Sequence, residues 1–265
     1  LKGVCMHHDQ GALGAEAWER AIERQVEILK EMGCNSIRVT HNPAAEELIN
    51  ICNEKGILVV EEMFDGWQNA KNGNNNDYAR FFNQTIGESN QILGKENGMT
   101  WAKYDLTAAV KRGWNAPSII MWALGNEVQE GATGVLTQAY ANVQANLIDW
   151  TTALDTTRPA TRGDNVLKGN KIGIPKNMMD AMTTANGTVG LNYCSGNDYD
   201  TLHNSNPNWK LYGSETASAV NSRGVYDRIR KKEWFMVIDM LLMLVLLAIC
   251  VLRIISGTYN PFIYF

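Results

Sequence analysis

Residues 36–63, SIRVTHNPAAEELINICNEKGILVVEEM, place two short apolar runs on either side of a segment with helical periodicity. The first six residues predict a β-strand, and Asn42 followed by Pro43 supplies an N-cap and a proline for the first helical turn. The predicted helix ends at Gly56, because glycine readily adopts the left-handed conformation that closes a helix. The last seven residues begin with Ile-Leu-Val-Val, a continuous apolar run typical of a strand buried on both faces. The stretch therefore predicts a βαβ unit.

The same alternation continues on both sides of this unit. Further strand-like runs lie at residues 1–8, 118–124, 159–162, 189–193 and 211–215, and helical periodicity covers residues 18–33, 104–112 and 135–154. Parallel strands joined by helices form either a closed barrel or an open doubly wound sheet. No glycine-rich phosphate-binding loop follows the first strand, which disfavours the open nucleotide-binding sheet. We therefore expect an α/β fold of the (β/α)₈ TIM-barrel type.

This barrel is predicted to be incomplete. A (β/α)₈ barrel typically takes about 250 residues, whereas the predicted strand–helix units use roughly 220. We therefore expect residues 1–227 to form a barrel domain that is cut short before its eighth strand. Leu1 is not an initiator residue and no signal peptide precedes the first strand, so the N-terminus is predicted to be an internal cut.

The sequence changes character after residue 227. In the segment 228–265, a basic cluster precedes an apolar run that starts at Trp234 and is interrupted by Asp239. The uninterrupted part of this run would span only ~20 Å as a helix, against a hydrocarbon core of ~30 Å. Two interpretations of this hydrophobic tail stay open, a transmembrane helix over residues 234–255 and out-of-frame sequence.

Composition and charge disfavour several classes of protein. The formal net charge is −4 at pH 7 and basic residues are scattered, so no nucleic-acid partner is expected. The 5 cysteines, an odd number, include no Cys-x-x-Cys pair. This pattern disfavours both a disulfide framework and a zinc site. A barrel enzyme that uses metal chemistry is disfavoured as well, because the sequence offers no convincing ligand cluster.

Polar side chains stand at the carboxyl ends of the predicted strands. In a βα barrel these ends face the active site, whereas an ordinary core would place Val, Ile and Leu there. In chain order, the residues at these ends are His7, Arg38, His41, Glu62, Asn126, Glu127, Tyr193 and Glu215. Two of the carboxylates follow the fourth and seventh strands. Paired carboxylates can supply acid, base and nucleophile, so we expect an active site here.

Four motifs contain most of these strand-end residues. They are GVCMHHD at residues 3–9, IRVTHNP at 37–43, WALGNE at 122–127 and GSETAS at 213–218. Together they closely resemble glycoside hydrolase family 2, and most strongly the β-galactosidase-like branch of gut Bacteroidetes. The resemblance extends from the first residue to about residue 226. It implies that the barrel domain is a glycoside hydrolase catalytic domain.

The resemblance implies a retaining exo-β-glycosidase, in the first place a β-galactosidase, that forms a covalent glycosyl-enzyme intermediate. Glu127 would be the general acid/base and Glu215 the nucleophile. Retaining hydrolysis needs two carboxyl groups about 5–5.5 Å apart, so that one attacks the anomeric carbon while the other protonates the leaving oxygen. Opposed strands of a barrel can hold that separation.

The resemblance also implies which residues surround the sugar. Arg38 and Tyr193 match family positions that contact the nucleophile, where a cation and a phenol donor stabilise its carboxylate. Asn126 would hydrogen-bond the sugar 2-hydroxyl, a contact that strengthens in the transition state. His7 and His41 match histidines that contact sugar hydroxyls.

The expected partners follow from the same resemblance. The substrate would be an oligosaccharide or β-galactoside, and no cofactor is implied; some relatives bind magnesium near the acid/base, but the matching ligand set is not evident in this sequence. A longer enzyme of this family would be periplasmic or secreted, with homo-oligomers left open. A membrane partner is expected only if residues 234–255 span a bilayer. Because an open barrel exposes strand edges, we expect the chain alone to have little activity.

Alternatives stay open at this point. β-Glucuronidase and β-mannosidase belong to the same family, and much of their sugar specificity lies on loops and domains outside this sequence. A hypothesis from another class is a non-catalytic, membrane-tethered carbohydrate-binding remnant. The hydrophobic tail favours the remnant, whereas the presence of both Glu127 and Glu215 disfavours it.

Overall fold

Strands and helices alternate along the chain in the computed structural model, which describes residues 1–131, 134–167 and 172–216 and the backbone of 236–237. The strands are β1 (Gly3–Met6), β2 (Ser36–Val39), β3 (Leu58–Glu62), β4 (Ile119–Asn126), β5 (Ala160–Asp164), β6 (Val189–Asn192), β7 (Leu211–Glu215) and β8 (Met236–Val237). The α-helices are α1 (Glu19–Glu31), α2 (Glu46–Lys55), α3 (Ala79–Phe82), α4 (Trp101–Gly113), α5 (Gln138–Leu154), α6 (Ile174–Thr184) and α7 (Gly196–Ser205).

The strands form one sheet in chain order, and each pairs in parallel with the next. With helices between them, β1 to β7 make a nearly closed barrel, which confirms the predicted TIM-barrel fold. At the eighth position, the two-residue β8 pairs with Tyr212 and Gly213 of β7. Within the described ranges, no ladder joins β8 to β1.

The hydrophobic tail falls almost entirely outside the described residues. The backbone of residues 236–237 pairs as a strand, and the rest of the predicted transmembrane segment at 234–255 is not described. The predicted domain boundary after residue 227 lies outside the described residues too. Elsewhere, in residues 1–131, 134–167 and 172–216, no helix combines the length and apolar character needed to cross a membrane.

Helical periodicity predicts an apolar stripe of Trp18, Ile22, Val26, Leu29 and Met32 on the first helix, and the structure confirms its middle part. In α1, Ile22, Val26 and Leu29 lie on one buried face, whereas Trp18 and Met32 at the two ends are exposed. The predicted helix ends are also confirmed, since Gly33 and Gly56 adopt positive φ angles of 85° and 70° just after α1 and α2. Only glycine takes such angles without steric cost.

The start of α2 differs from the prediction. The sequence predicts a helix that begins at Asn42 and Pro43, whereas α2 begins at Glu46. Between these positions Ala44 is buried, and its N–H donates a hydrogen bond of 3.1 Å to the Glu61 carboxylate of β3. This bond holds the segment against the barrel, so helical geometry sets in only after it.

The barrel interior changes from apolar to polar along its axis. One apolar cluster inside the barrel consists of Val60, Met121, Ala123 and Tyr212, while the main core lies between the sheet and the helices. Arg38, Glu62 and Arg162 are also fully buried within the barrel strands. Buried charges persist in proteins when they are paired and hydrogen-bonded. Their presence therefore marks the end of the barrel where polar side chains meet.

Candidate active site

A cavity of about 430 Å³ lies at the carboxyl ends of the strands. It is lined by His41, Asp65, Lys71, Asn72, Asn74, Asp77, Asn126, Glu127, Glu130, Tyr193 and Glu215. Five of the seven predicted site residues are thus brought to one cavity. The other two do not line it, but Arg38 contacts Glu215 and His7 packs against His41.

Arg38 lies at the centre of this group and is fully buried. Its Nη1 lies 2.7 Å from Oε1 of Glu215, and its Nη2 lies 2.5 Å from Oε2 of Glu62. The same Nη2 donates to Oδ1 of Asn126 at 3.0 Å. The planar guanidinium suits such simultaneous contacts. Arg38 is enclosed by these partners and does not line the cavity. It therefore holds the carboxylate of Glu215, the nucleophile candidate, in place and stabilises its negative charge.

Glu215 is nearly enclosed, with 2% of its surface exposed. Burial alone would raise the pKa of its carboxyl group. The charge and hydrogen bond of Arg38, the nearby His41 and a hydrogen bond from Tyr193 outweigh burial, so the pKa of Glu215 lies below its ordinary value. Glu215 is therefore ionised at neutral pH.

His41 lies near Glu215, and His7 packs against His41. The Nδ1 of His41 lies 2.8 Å from Oε1 of Glu62, and its Nε2 lies 3.6 Å from Oε1 of Glu215. The ring of His7 packs edge-on against the ring of His41, with the centroids 5.2 Å apart. Burial, followed by the neighbouring His41, lowers the pKa of His7, which favours its neutral form.

Glu127 has the opposite environment. It accepts a hydrogen bond of 2.9 Å from Nδ2 of Asn192, and no cationic side chain is among the main influences on its carboxyl group. Burial, together with the negative charges of Glu215 and Glu130, raises the pKa of Glu127 to about 7 despite the hydrogen bond from Asn192. Glu127 can therefore hold a proton near neutral pH and release it.

The backbone at two site residues is left-handed. Glu127 has φ 42° and Tyr193 has φ 55°, angles that are uncommon for residues other than glycine. The N–H of Glu127 donates to the Gly163 carbonyl at 2.9 Å, and the N–H of Tyr193 donates to the Glu215 carbonyl at 2.8 Å. These bonds hold the two residues where each strand ends and turn their side chains toward the cavity.

Asn192, Ser214 and Cys5 belong to the site but were not predicted. Asn192 bonds both Asn126 and Glu127, and Ser214 donates to Oδ1 of Asn192 at 2.5 Å. The Cys5 thiol donates to the Ser214 carbonyl at 3.0 Å. Asn192 carried one detectable signal, because it is a polar residue at the end of the apolar run of β6.

The family resemblance raises a magnesium site near Glu127, for which the sequence offers no matching ligand set. Within the described residues, no three or more His, Cys, Asp or Glu side chains are grouped so that they could hold a metal ion.

Gly163 leaves space for the hydrogen-bond network of Arg38, Asn126 and Asn192. The Gly163→Ala variant should disrupt this network and lower the stability of the protein. A methyl group there would lie 2.8 Å from Oδ1 of Asn126, 2.9 Å from Nη2 of Arg38 and 3.0 Å from Oδ1 of Asn192. We expect a loss of roughly 1–3 kcal/mol in the free energy of unfolding, because buried atoms must shift. Urea denaturation measures this loss. Gly87→Ala is the control, since a methyl group there would contact nothing within 4 Å; equal midpoints for the two variants would contradict the prediction.

Comparison with known proteins gives the family. Residues 1–219 match the family model described as glycosyl hydrolases family 2, TIM barrel domain. A β-galactosidase of Bacteroides ovatus is 33% identical over 253 residues, which cover 85% of this chain and 27% of the relative. A β-glucuronidase of Streptococcus agalactiae is 31% identical over 135 residues, which cover 48% of this chain and 20% of the relative.

Solved structures agree with this match. A glycosyl hydrolase family 2 member from Bacteroides cellulosilyticus has a TM-score of 0.73 at 32% identity, over 90% of this chain and 27% of that chain. The chain thus spans about a quarter of the length of the B. ovatus and B. cellulosilyticus relatives. Since the family model matches most of the sequence and the barrel agrees with it, the chain belongs to glycosyl hydrolase family 2, with its TIM-barrel domain.

Proposed function

We propose that this barrel catalyses the retaining hydrolysis of terminal β-linked sugars, with β-galactosides as the substrates. The observation that carries the proposal is the contrast between two carboxyl groups on one cavity. The pKa of Glu215 is held below its ordinary value, mainly by Arg38 against the effect of burial, while burial raises the pKa of Glu127 to about 7. A retaining glycosidase needs this pair, an ionised nucleophile and a protonated acid.

In the first step, a carboxylate oxygen of Glu215 attacks the anomeric carbon of the sugar. The bond between that carbon and the leaving oxygen breaks, and its electron pair stays on the leaving oxygen. Glu127 gives its proton to this oxygen, so that a neutral alcohol departs. The sugar is then esterified to Glu215 and Glu127 is ionised.

In the second step, water replaces Glu215 on the anomeric carbon. Glu127, now a carboxylate, takes a proton from the water as the new bond forms. The bond between the anomeric carbon and Glu215 breaks, which returns Glu215 to its ionised state and Glu127 to its protonated state. Two displacements at one carbon restore the original β configuration. Asn126, whose Nδ2 faces Asp65 at 3.4 Å beside the cavity, is available to bond the sugar 2-hydroxyl.

Support for a galactoside comes from the relatives and from the charges around the cavity. The match to the B. ovatus β-galactosidase covers 85% of this chain, whereas the matches to the β-glucuronidases of S. agalactiae and Mus musculus cover 48% and 66% of it. A glucuronide would add a carboxylate that needs a cation. Among the described residues that line the cavity, Lys71 is the lysine or arginine available, and its Nζ already lies 2.6 Å from Oδ1 of Asp65.

The pH dependence of turnover should follow Glu127. The proposal predicts that kcat/KM for lactose falls as the pH rises through about 7, the pKa of Glu127, because the acid must be protonated in the first step. Glu127→Gln should lower kcat/KM for lactose by roughly 10²- to 10⁴-fold. It should leave kcat/KM for dinitrophenyl β-galactoside within about tenfold of the parent chain, since that leaving group departs without a proton.

Steady-state assays over pH 5 to 9 with these two substrates measure both effects. Glu215→Gln is the contrasting variant, because its kcat/KM should fall equally for both substrates. Equal losses for lactose and the dinitrophenyl galactoside in Glu127→Gln would contradict the role of Glu127.

The sugar is tested with a panel of nitrophenyl β-glycosides. We expect kcat/KM to be highest for the galactoside and lower for the glucuronide and mannoside. A preference for the glucuronide would overturn the β-galactosidase assignment and leave the retaining mechanism standing. Sugar binding without turnover, in a chain that stays in the membrane fraction through carbonate extraction, would favour the membrane-tethered remnant instead.

A further inference from the structure

Asn192 lies at the carboxyl end of β6 and is fully buried. Its Nδ2 donates two hydrogen bonds of 2.9 Å, one to Oδ1 of Asn126 and one to Oε1 of Glu127. Its Oδ1 accepts a hydrogen bond of 2.5 Å from the Ser214 hydroxyl of β7. One side chain therefore connects the ends of β4, β6 and β7.

The network fixes which way the Asn192 amide points. The guanidinium of Arg38 can only donate, so the atom of Asn126 that faces it at 3.0 Å must be an oxygen. The atom of Asn192 that meets this oxygen must then be the NH₂ nitrogen. The same nitrogen is the one that reaches Glu127, so the contact with Glu127 is a donated hydrogen bond.

We propose that Asn192 is the positioning residue for the acid/base of this enzyme, holding the Glu127 carboxyl group in place and favouring its ionised form for the second step. Asn192 acts through Glu127, since it is fully buried and does not line the cavity. The proposal rests on the proposed function only in that Glu127 is the acid/base.

The charges around Glu127 explain why such a donor matters. Glu215 on β7 and Glu130 on the following turn disfavour ionisation of Glu127, as burial does. The Nζ of Lys71 lies 3.9 Å from the Glu130 carboxylate and offsets part of its negative charge. Tyr193 is hydrogen-bonded to Glu215. The amide of Asn192 opposes these effects, because a hydrogen bond donated to a carboxylate favours the ionised form.

The first test measures the titration of Glu127 without turnover. The side-chain carboxyl signal of Glu127 is followed by carbon NMR over pH 4 to 9 in the 265-residue chain, and Glu127→Gln assigns the signal. Asn192→Ala should raise the pKa of Glu127, and the isosteric Asn192→Asp should raise it further by adding a like charge. Asn206→Ala, a buried asparagine that bonds the Leu202 carbonyl, should leave it unchanged. An unchanged titration in Asn192→Ala would overturn the proposal.

The second test is kinetic. Asn192→Ala should lower kcat/KM for lactose by roughly 10- to 100-fold, a part of the roughly 10²- to 10⁴-fold that general acid catalysis supplies. It should leave kcat/KM for dinitrophenyl β-galactoside unchanged. The alkaline limb of the pH profile for lactose should move to higher pH. Equal losses on both substrates with an unmoved limb would mean a merely structural role and would overturn the proposal. If Glu215→Gln does not reduce turnover, the proposed function fails. The NMR titration of Glu127 then still decides the role of Asn192.

Discussion

Glu215→Gln should abolish covalent capture of the sugar. In the parent chain, an activated 2-fluoro β-galactoside should esterify Glu215, and the fluorine should slow the second step so that the adduct accumulates. Glutamine fills the same space and can still accept a hydrogen bond from Arg38, which lies 2.7 Å from Glu215 in the parent chain. It is a far weaker nucleophile, however, so turnover should fall on the order of a million-fold, as in other enzymes that lose their nucleophile.

Intact-mass spectrometry measures this effect even when turnover is slow, because each molecule needs to react only once. Peptide mapping should locate the adduct at Glu215. Glu61→Gln is the matched control: Glu61 is also buried, but it bonds Arg112 and Ala44 away from the cavity, and its variant should keep the adduct. An adduct of equal yield in Glu215→Gln would show that another residue is the nucleophile.

Arg38→Leu should have the largest effect on stability. Arg38 pairs with Glu62 and Glu215, and all three side chains are at most 2% exposed. Removing the cation leaves two buried carboxylates without their partner, which costs roughly 3–5 kcal/mol in the free energy of unfolding. Leucine fills part of the space, so the loss reflects mainly the unpaired charge.

This loss should depend on pH in a definite direction. In the parent chain the pKa of Glu215 is lowered in the folded state, so the stability it provides is present at neutral pH and is lost as the pH falls through that lowered pKa. In Arg38→Leu the cation no longer offsets burial, so the pKa of Glu215 should rise and the variant should be most stable when Glu215 is protonated. The difference between the two proteins should therefore shrink between about pH 8 and pH 5.

Urea denaturation at several pH values measures this difference. Arg38→Lys should recover part of the stability, since it keeps the charge but not the planar fork. Arg20→Leu is the control, because Arg20 is 72% exposed in its pair with Glu23 and its loss should not move the midpoint. The prediction fails if Arg38→Leu unfolds at the same urea concentration as the parent chain across this pH range.

Much of the barrel could be predicted from local sequence. The strand β7 spans Leu211–Glu215, the residues that the strand-like run at 211–215 predicts. The sequence does not predict the helices α3, α6 and α7. In α7 the local signal was a capping box between Ser195 and Asp198, which periodicity does not reveal.

Local rules failed where a distant residue competed with them. Asn42 and Pro43 have the right chemistry to start a helix. The Glu61 carboxylate, however, accepts a hydrogen bond from the backbone of Ala44, and α2 begins only at Glu46. The distance along the chain is 17 residues, beyond the reach of any capping pattern. Capping preferences are worth only about 1 kcal/mol, so one buried hydrogen bond is enough to override them.

The sequence by itself determined the alternation of strands and helices, the family of the chain, and the placement of polar residues at strand ends, because each depends on residue type and spacing. Only the tertiary structure decided that Arg38 faces Glu215 and Glu62, and that Asn192 joins Asn126 to Glu127. These contacts join residues far apart in the chain. Protonation depends on burial and on charges within a few ångströms, which no local pattern specifies, so two glutamates of identical chemistry acquire opposite states only in the folded barrel.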